Sequence, residues 1–208
     1  MQLKEILQGK KAIIMDFDGT ITNTEPLNFK TWQVLFKPYN IDFKESDFKD
    51  ILGHPIEKIV TILESKYDNF DREEFKNGIN DYIETFKRFQ DESDLKMFDY
   101  VKELIEEFKG IPKFILSNQT KVLIENMLKK WNVENEFTKI YSCMDEKLKK
   151  QDVYKNAENY FGVKAEDCLL CEDSQIYLNS GKENGMTTLG IQHNLNPKLS
   201  ADYILKVE

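Results

Sequence analysis

Apolar and polar positions along this chain follow two different periods, and the switches between them mark out its elements. Near the start, Ile13, Ile14 and Met15 form an apolar run that stops abruptly at Asp16-Phe17-Asp18-Gly19-Thr20. A short continuous apolar run bounded by polar residues reads as a buried parallel strand. Similar runs occur at 114–116, 140–143, 168–171 and 187–191, with a shorter edge candidate at 203–205. After the first run the period changes to that of a helix. Trp32, Leu35 and Phe36 share one face, Ile56, Ile59, Val60 and Leu63 another, and Phe75, Ile79, Tyr82, Ile83 and Phe86 a third. Turn-forming breaks fall at Lys37-Pro38-Tyr39-Asn40, Gly53-His54-Pro55 and Tyr67-Asp68-Asn69-Phe70. From about Leu95 strands and helices alternate: a helix through Phe98, Leu104 and Phe108, another through Leu123, Met127 and Trp131, and one over 152–161 closed by Gly162. A further helix ends at Gly185. Alternation of this kind predicts an α/β fold with a doubly wound, mostly parallel sheet. The predicted core covers residues 1–20 and 92–208, and residues 21–91 form an inserted helical domain.

Composition narrows the function classes. The chain has 208 residues, enough for one α/β core and a modest insert, and 40% are hydrophobic. Net charge is −8 and no basic stripe with interleaved aromatics is visible, which argues against a nucleic-acid partner. No apolar run approaches the ~18 residues of a membrane span, and residues 1–11 mix charges without a signal-like apolar stretch. The cytoplasm is the expected compartment. The three cysteines agree: Cys168 and Cys171 form a C-x-x-C inside an apolar run, where their side chains point to opposite faces. They read as buried reduced thiols rather than a redox pair or a zinc site.

The chemistry lies where the strands stop. Asp16 and Asp18 are two acids delivered to the end of a buried strand, where open α/β sheets place their sites. Such acids repel unless a cation lies between them or one holds a proton. The second run ends in Ser117-Asn118 before a helix opening near Thr120, a hydroxyl beside outward-facing amides that suit an anion. The fourth ends in Glu172-Asp173, acids suited to a hard divalent cation.

These strand ends, in this order, resemble the motifs of the haloacid dehalogenase-like (HAD) phosphohydrolases. The resemblance covers nearly the whole chain, and the insert is similar to the small helical cap of the subgroup that includes β-phosphoglucomutase and phosphoglycolate phosphatase. It implies that Asp16 attacks phosphorus and forms an aspartyl-phosphate. Asp18 is then the general acid for the leaving oxygen and the base for water. Ser117, Asn118 and Thr20 would bind the phosphoryl group, and Mg²⁺ would be held by Asp16, Glu172, Asp173 and Asp18, the last through its backbone carbonyl. The family lysine usually lies in Lys-Pro-x-Pro-Asp-x-Tyr. Here Lys149-Lys150-Gln151-Asp152-Val153-Tyr154 keeps the Asp-x-Tyr end without the prolines. Gapless counting lands on Leu148, a one-residue slip on Lys147 or Lys149, and a two-residue deletion on Lys150; Lys149 is the choice made here.

Two departures from the pattern are Tyr177, where subgroup members commonly have Gly, and Asp99-Tyr100 in place of Pro-Gly. The implied function is a Mg²⁺-dependent phosphatase acting on a small phosphorylated metabolite, with neither nucleic acid nor membrane as partner and the oligomeric state open. The alternatives are a phosphosugar mutase and a non-catalytic binding protein on the same scaffold. The mutase of this subgroup has a histidine four residues before a tryptophan; the corresponding position here is Asn28, before Trp32, and Asn carries no titratable proton. His54 reads as a loop residue, and His193 has no visible partner.

Overall fold

Ile13, Ile14 and Met15 are completely buried and form, with Ala12, the first strand β1 (Ala12–Met15) of a parallel sheet. A computed structural model describes residues 3–207 apart from positions 53, 55, 78 and 197. A short helix α1 (Leu3–Ile6) precedes β1. The core continues with α7 (Asp99–Glu107), β2 (Lys113–Ser117), α8 (Lys121–Lys130), β3 (Lys139–Ser142), α9 (Cys143–Glu146), α10 (Lys150–Lys155), α11 (Ala157–Phe161), β4 (Cys168–Glu172), α12 (Gln175–Glu183), β5 (Thr187–Gln192) and β6 (Tyr203–Lys206). Among the described residues the strands form one six-stranded sheet in the order β3-β2-β1-β4-β5-β6, parallel at every pairing. The chain runs outward from β1 to β3 and then returns to β4 on the other side of β1. Loops leaving β1 and β4 therefore diverge, and a crevice opens at their carboxyl ends, where such sheets bind ligands.

Each apolar run found in the sequence is a strand, including the edge at Tyr203–Lys206. Two boundaries differ. Cys143 opens α9 instead of ending β3, because the Ser142 hydroxyl accepts the Asp145 amide at 3.1 Å and starts a turn there. The helix expected over 152–161 begins two residues earlier, at Lys150, and is interrupted at Asn156, whose side-chain amide donates back to the Asp152 carbonyl at 2.8 Å.

The chain divides into two compact units, Met1–Asn23 with Lys96–Glu208, and Thr24–Leu95. The second is helical: α2 (Glu25–Phe36), α3 (Glu45–Ile51), α4 (Ile56–Lys66), α5 (Arg72–Asn77) and α6 (Ile79–Glu92). Trp32, Phe36, Val60, Leu63, Phe75, Tyr82 and Phe86 from the three sequence faces are buried, and Trp32 stacks on Phe75 with centroids 5.5 Å apart. The side chains of Ile56 and Ile79, and residues Gly53 and Pro55 of one expected break, lie outside the described set. Among the described residues no helix is long and apolar enough to cross a membrane. Cys143, Cys168 and Cys171 are free and buried, and burial pushes the Cys143 and Cys168 thiols up to about 11.

Helix α3, which periodicity did not single out, is tied down by one acid. Asp47 accepts the Lys44 amide at 2.7 Å and the Tyr67 hydroxyl at 2.6 Å, and pairs with Lys66 at 2.5 Å. Burial by itself would raise this carboxyl, but Lys66, Tyr67 and the Lys44 amide outweigh it and hold it below the usual value. Asp47→Ala is expected to destabilise the protein by about 2–3 kcal/mol near neutral pH, read as a lower denaturant midpoint. Because the folded-state value is depressed, this contribution is complete above the unfolded value of ~3.9 and fades as pH falls through the folded value. The gap between wild type and variant should therefore close in acid. A gap that stays constant down to the acid transition would contradict the ionic account.

Candidate active site

Parallel register brings the separated motifs to one edge of the sheet. Met15 lies opposite Cys171 on β4 and Ile115 on β2, so one step further Asp16 stands beside Glu172, and Ser117 closes the neighbouring strand. The Asp16 amide donates to the Cys171 carbonyl at 3.1 Å, extending the ladder into the site. The carboxylate of Asp16 is held at both oxygens: Oδ1 accepts the Phe17 amide at 2.7 Å, and Oδ2 meets the Lys150 ammonium at 2.7 Å.

The lysine at the site is Lys150, which corrects the choice of Lys149. Its Nζ lies 2.7 Å from Asp16 and 2.8 Å from Glu172, with its side chain fully buried. Burial by itself would lower the ammonium, but Asp16 and Glu172 outweigh it and hold Lys150 well above its ordinary value. The ring of Tyr177 also lies under Nζ, 4.5 Å from centroid to nitrogen, and its negative face favours the cation. Lys149 has extended backbone just before α10 and an exposed side chain, and Lys147 is exposed in a left-handed turn. The reason is helical phase: Lys150, Val153 and Tyr154 are the buried residues of α10, spaced i, i+3, i+4 on one face. That phase is present in the sequence, while the missing prolines remove the register that the family motif would supply.

Glu172 is completely buried and engaged at both oxygens. Oε2 takes Lys150, while Oε1 accepts the Asp173 and Ser174 amides at 3.2 Å each. Burial, and then the charge of Asp16, raise its carboxyl well above the ordinary range, with Lys150 pulling the other way. Asp173 follows on the same turn, and its Oδ2 lies 3.0 Å from Nε2 of His193. His193 therefore has the partner that its place in the sequence did not reveal; parallel strands β4 and β5 set that pairing, and no local spacing signals it. Gly19 makes the approach possible. It has φ +70°, a left-handed conformation that glycine adopts freely, and a Cβ there would run into the Asp173 carboxyl.

The remaining expected residues are placed as follows. Ser117 is buried, and its Oγ accepts the Gln119 amide at 3.2 Å. Asn118 is half-buried and donates to the Tyr177 hydroxyl at 3.0 Å, so the residue standing in for glycine braces the Ser117-Asn118 strand end as well as Lys150. Thr20 is completely buried. Its carbonyl accepts the Tyr100 hydroxyl at 2.6 Å and its Oγ1 has no hydrogen-bond partner among the described residues, so its placement does not favour the substrate contact expected of it. Asp18 is half-buried, and its carboxylate is not among the three acids that converge. The start of α8, expected to offer free amides to an anion, is instead satisfied in part from within: Asp145 accepts the Lys121 amide at 2.7 Å and the Thr120 hydroxyl at 3.2 Å.

The converging acids are Asp16, Glu172 and Asp173, each offering an oxygen within 4.8 Å of the others. An all-carboxylate oxygen set beside one buried ammonium fits a hard divalent cation such as Mg²⁺, and lacks the thiolate or imidazole donors of softer metals.

A family profile described as haloacid dehalogenase-like hydrolase matches residues 13–191. The chain is 24% identical over 201 residues to the phosphorylated carbohydrates phosphatase of Thermotoga maritima, a similarity covering 89% of this chain and 87% of that protein. It is 22% identical over 205 residues to the beta-phosphoglucomutase of Bacillus subtilis, covering 94% and 89%. The structure of CbbY from Rhodobacter sphaeroides in complex with phosphate shares the fold, with a TM-score of 0.83 at 20% identity over 94% of this chain and 93% of that one. A profile match that begins in β1 and ends in β5 takes in the strand ends that carry Asp16, Ser117, Glu172 and Asp173, and so the chain belongs to the haloacid dehalogenase-like hydrolase family.

Proposed function

We propose that this enzyme is a Mg²⁺-dependent phosphatase of a small phosphorylated carbohydrate, working through an aspartyl-phosphate on Asp16. The observation that carries the reading is the Lys150 ammonium buried between Asp16 and Glu172, with Asp173 completing the acid group. The Phe17 amide and Lys150 fix the orientation of Asp16 before any substrate arrives, which removes that cost from the barrier. An Asp16 oxygen forms the new bond to phosphorus as the ester P–O bond breaks, and Asp18 gives a proton to the departing alkoxide. Water then attacks phosphorus, Asp18 takes its proton, and inorganic phosphate leaves with Asp16 restored. Lys150, Ser117 and Asn118 balance the charge on the phosphoryl oxygens. Mg²⁺ held by Asp16, Glu172, Asp173 and the Asp18 carbonyl would add positive charge for that same purpose.

The substrate class follows the name of the Thermotoga relative. The helical unit is assigned the part of the family cap, the segment that selects the organic portion of the substrate. Three buried free thiols accord with a cytoplasmic address.

The second reading, a mutase, draws on the Bacillus relative. Hydrolysis is favoured by Asn28, whose Oδ1 accepts the Tyr82 hydroxyl at 2.6 Å and whose amide does not titrate and so cannot act as a proton carrier. A panel of sugar phosphates assayed with Mg²⁺ and with chelator tests both. Inorganic phosphate should appear only with the metal, and β-glucose 1-phosphate with a trace of bisphosphate should give no glucose 6-phosphate. Rapid glucose 6-phosphate formation would establish the mutase, and silence across the panel would remove the substrate assignment.

A further inference from the structure

Three loops meet at Asp173, and one of them brings a histidine to it. The loop after β5 folds into a turn at His193: its amide donates to Oδ1 of Asn196 at 2.6 Å, and the Asn196 amide donates to the His193 carbonyl at 3.2 Å. Asn196 then uses its side-chain nitrogen twice, on the Asp173 carbonyl at 2.7 Å and on the Ile191 carbonyl at 2.9 Å. The backbone of Asp173 is thus held by Asn196 while its carboxylate faces His193, with Nε2 to Oδ2 at 3.0 Å. The loop after β1 contributes Gly19, and the Cβ it lacks would stand 3.0 Å from His193 Nε2 as well as against the Asp173 carboxyl. Both side chains of the pair are largely buried, with relative exposures of 9% and 13%.

The direction of the bond follows from the other ring nitrogen. Nδ1 of His193 accepts the Leu195 amide at 3.3 Å, so it presents a lone pair, and a neutral imidazole accepting there carries its proton on Nε2. His193 is therefore the donor and Asp173 Oδ2 the acceptor. A hydrogen bond to one oxygen restricts the rotation of the carboxylate, and Asp173 offers a carboxylate oxygen to the group it shares with Asp16 and Glu172.

We propose that His193 is a positioning residue that orients the Asp173 carboxylate for a divalent cation, with the Asn196 turn holding the imidazole and the Asp173 backbone in one rigid unit. This rests on the metal-dependent reading above. Nothing in the spacing of the chain marks His193 for such a part; the β4–β5 register creates it. Partners that orient a metal-binding group by hydrogen bonding make a measurable share of metal affinity.

The test is calorimetric titration of the full-length protein with Mg²⁺ alone, without substrate, for wild type, His193→Leu, His193→Asn and His193→Gln. Leu removes the donor, Asn is too short to reach Oδ2, and Gln places an amide nitrogen near the position of Nε2. Affinity should fall 10–100-fold in the Leu and Asn variants and stay within about threefold of wild type in Gln. Thermal unfolding in chelator, run in parallel, separates lost metal affinity from a lost fold: the affinity loss should appear in whichever of the Leu and Asn variants keeps the wild-type transition. Wild-type affinity in a folded Leu or Asn variant would overturn the proposal alone, as would a Gln variant as weak as Leu. A wild-type protein that takes up no Mg²⁺ would overturn it together with the metal-dependent reading.

Discussion

Lys150→Met is expected to lower kcat for phosphate release by about 10²–10³, the usual cost of losing one preorganised charge at a transition state. It should also destabilise the protein by about 3–5 kcal/mol in chelator, because removing the cation from a buried ion pair leaves its partners uncompensated. Those partners are Asp16 and Glu172, both within 2.8 Å of Nζ, and Glu172 is wholly cut off from water. Lys149→Met is the control on the adjacent residue. Its side chain is exposed, so activity should stay within about twofold of wild type. Steady-state phosphate release and urea unfolding of the two variants measure both effects. If Lys149→Met proves the damaging change and Lys150→Met the silent one, the lysine assignment falls with the site built around it.

Asp16→Asn should cost more in rate and less in stability. A neutral amide is a poor nucleophile toward phosphorus, and kcat is expected to drop by at least ~10³. The fold should survive, since Lys150 keeps its contact with Glu172 at 2.8 Å. Mass spectrometry of acid-quenched wild type during turnover should detect a covalent phosphate that the variant never carries. Near-normal turnover by Asp16→Asn with any phosphate monoester would eliminate the covalent route.

These two residues illustrate different degrees of legibility. Asp16 could be named because its signal is local: a buried apolar run ends, and the next residue must lie at the strand's carboxyl edge. Glu172, Asp173, Ser117 and Asn118 were legible on the same ground. Lys150 was legible in principle from its phase with Val153 and Tyr154, but the altered motif beside it drew the count to Lys149. Thr20 is a phosphoryl ligand only as the family resemblance implies it, and its side chain is completely buried.

Hydrophobic patterning and turn chemistry determined the strands, most of the helices and the edge at which the acids emerge, because both are local properties of a chain. What only the tertiary structure decided is which residues face one another across that edge. Strand order and register pair Asp16 with Glu172, turn α10 so that Lys150 lies between them, and carry His193 to Asp173 across twenty residues of sequence. The same packing sets Tyr177 beneath Lys150 and against Asn118, contacts between side chains brought together by separate helices and strands. Such pairings depend on the sum of all packing in the sheet, and no stretch of sequence encodes them by itself.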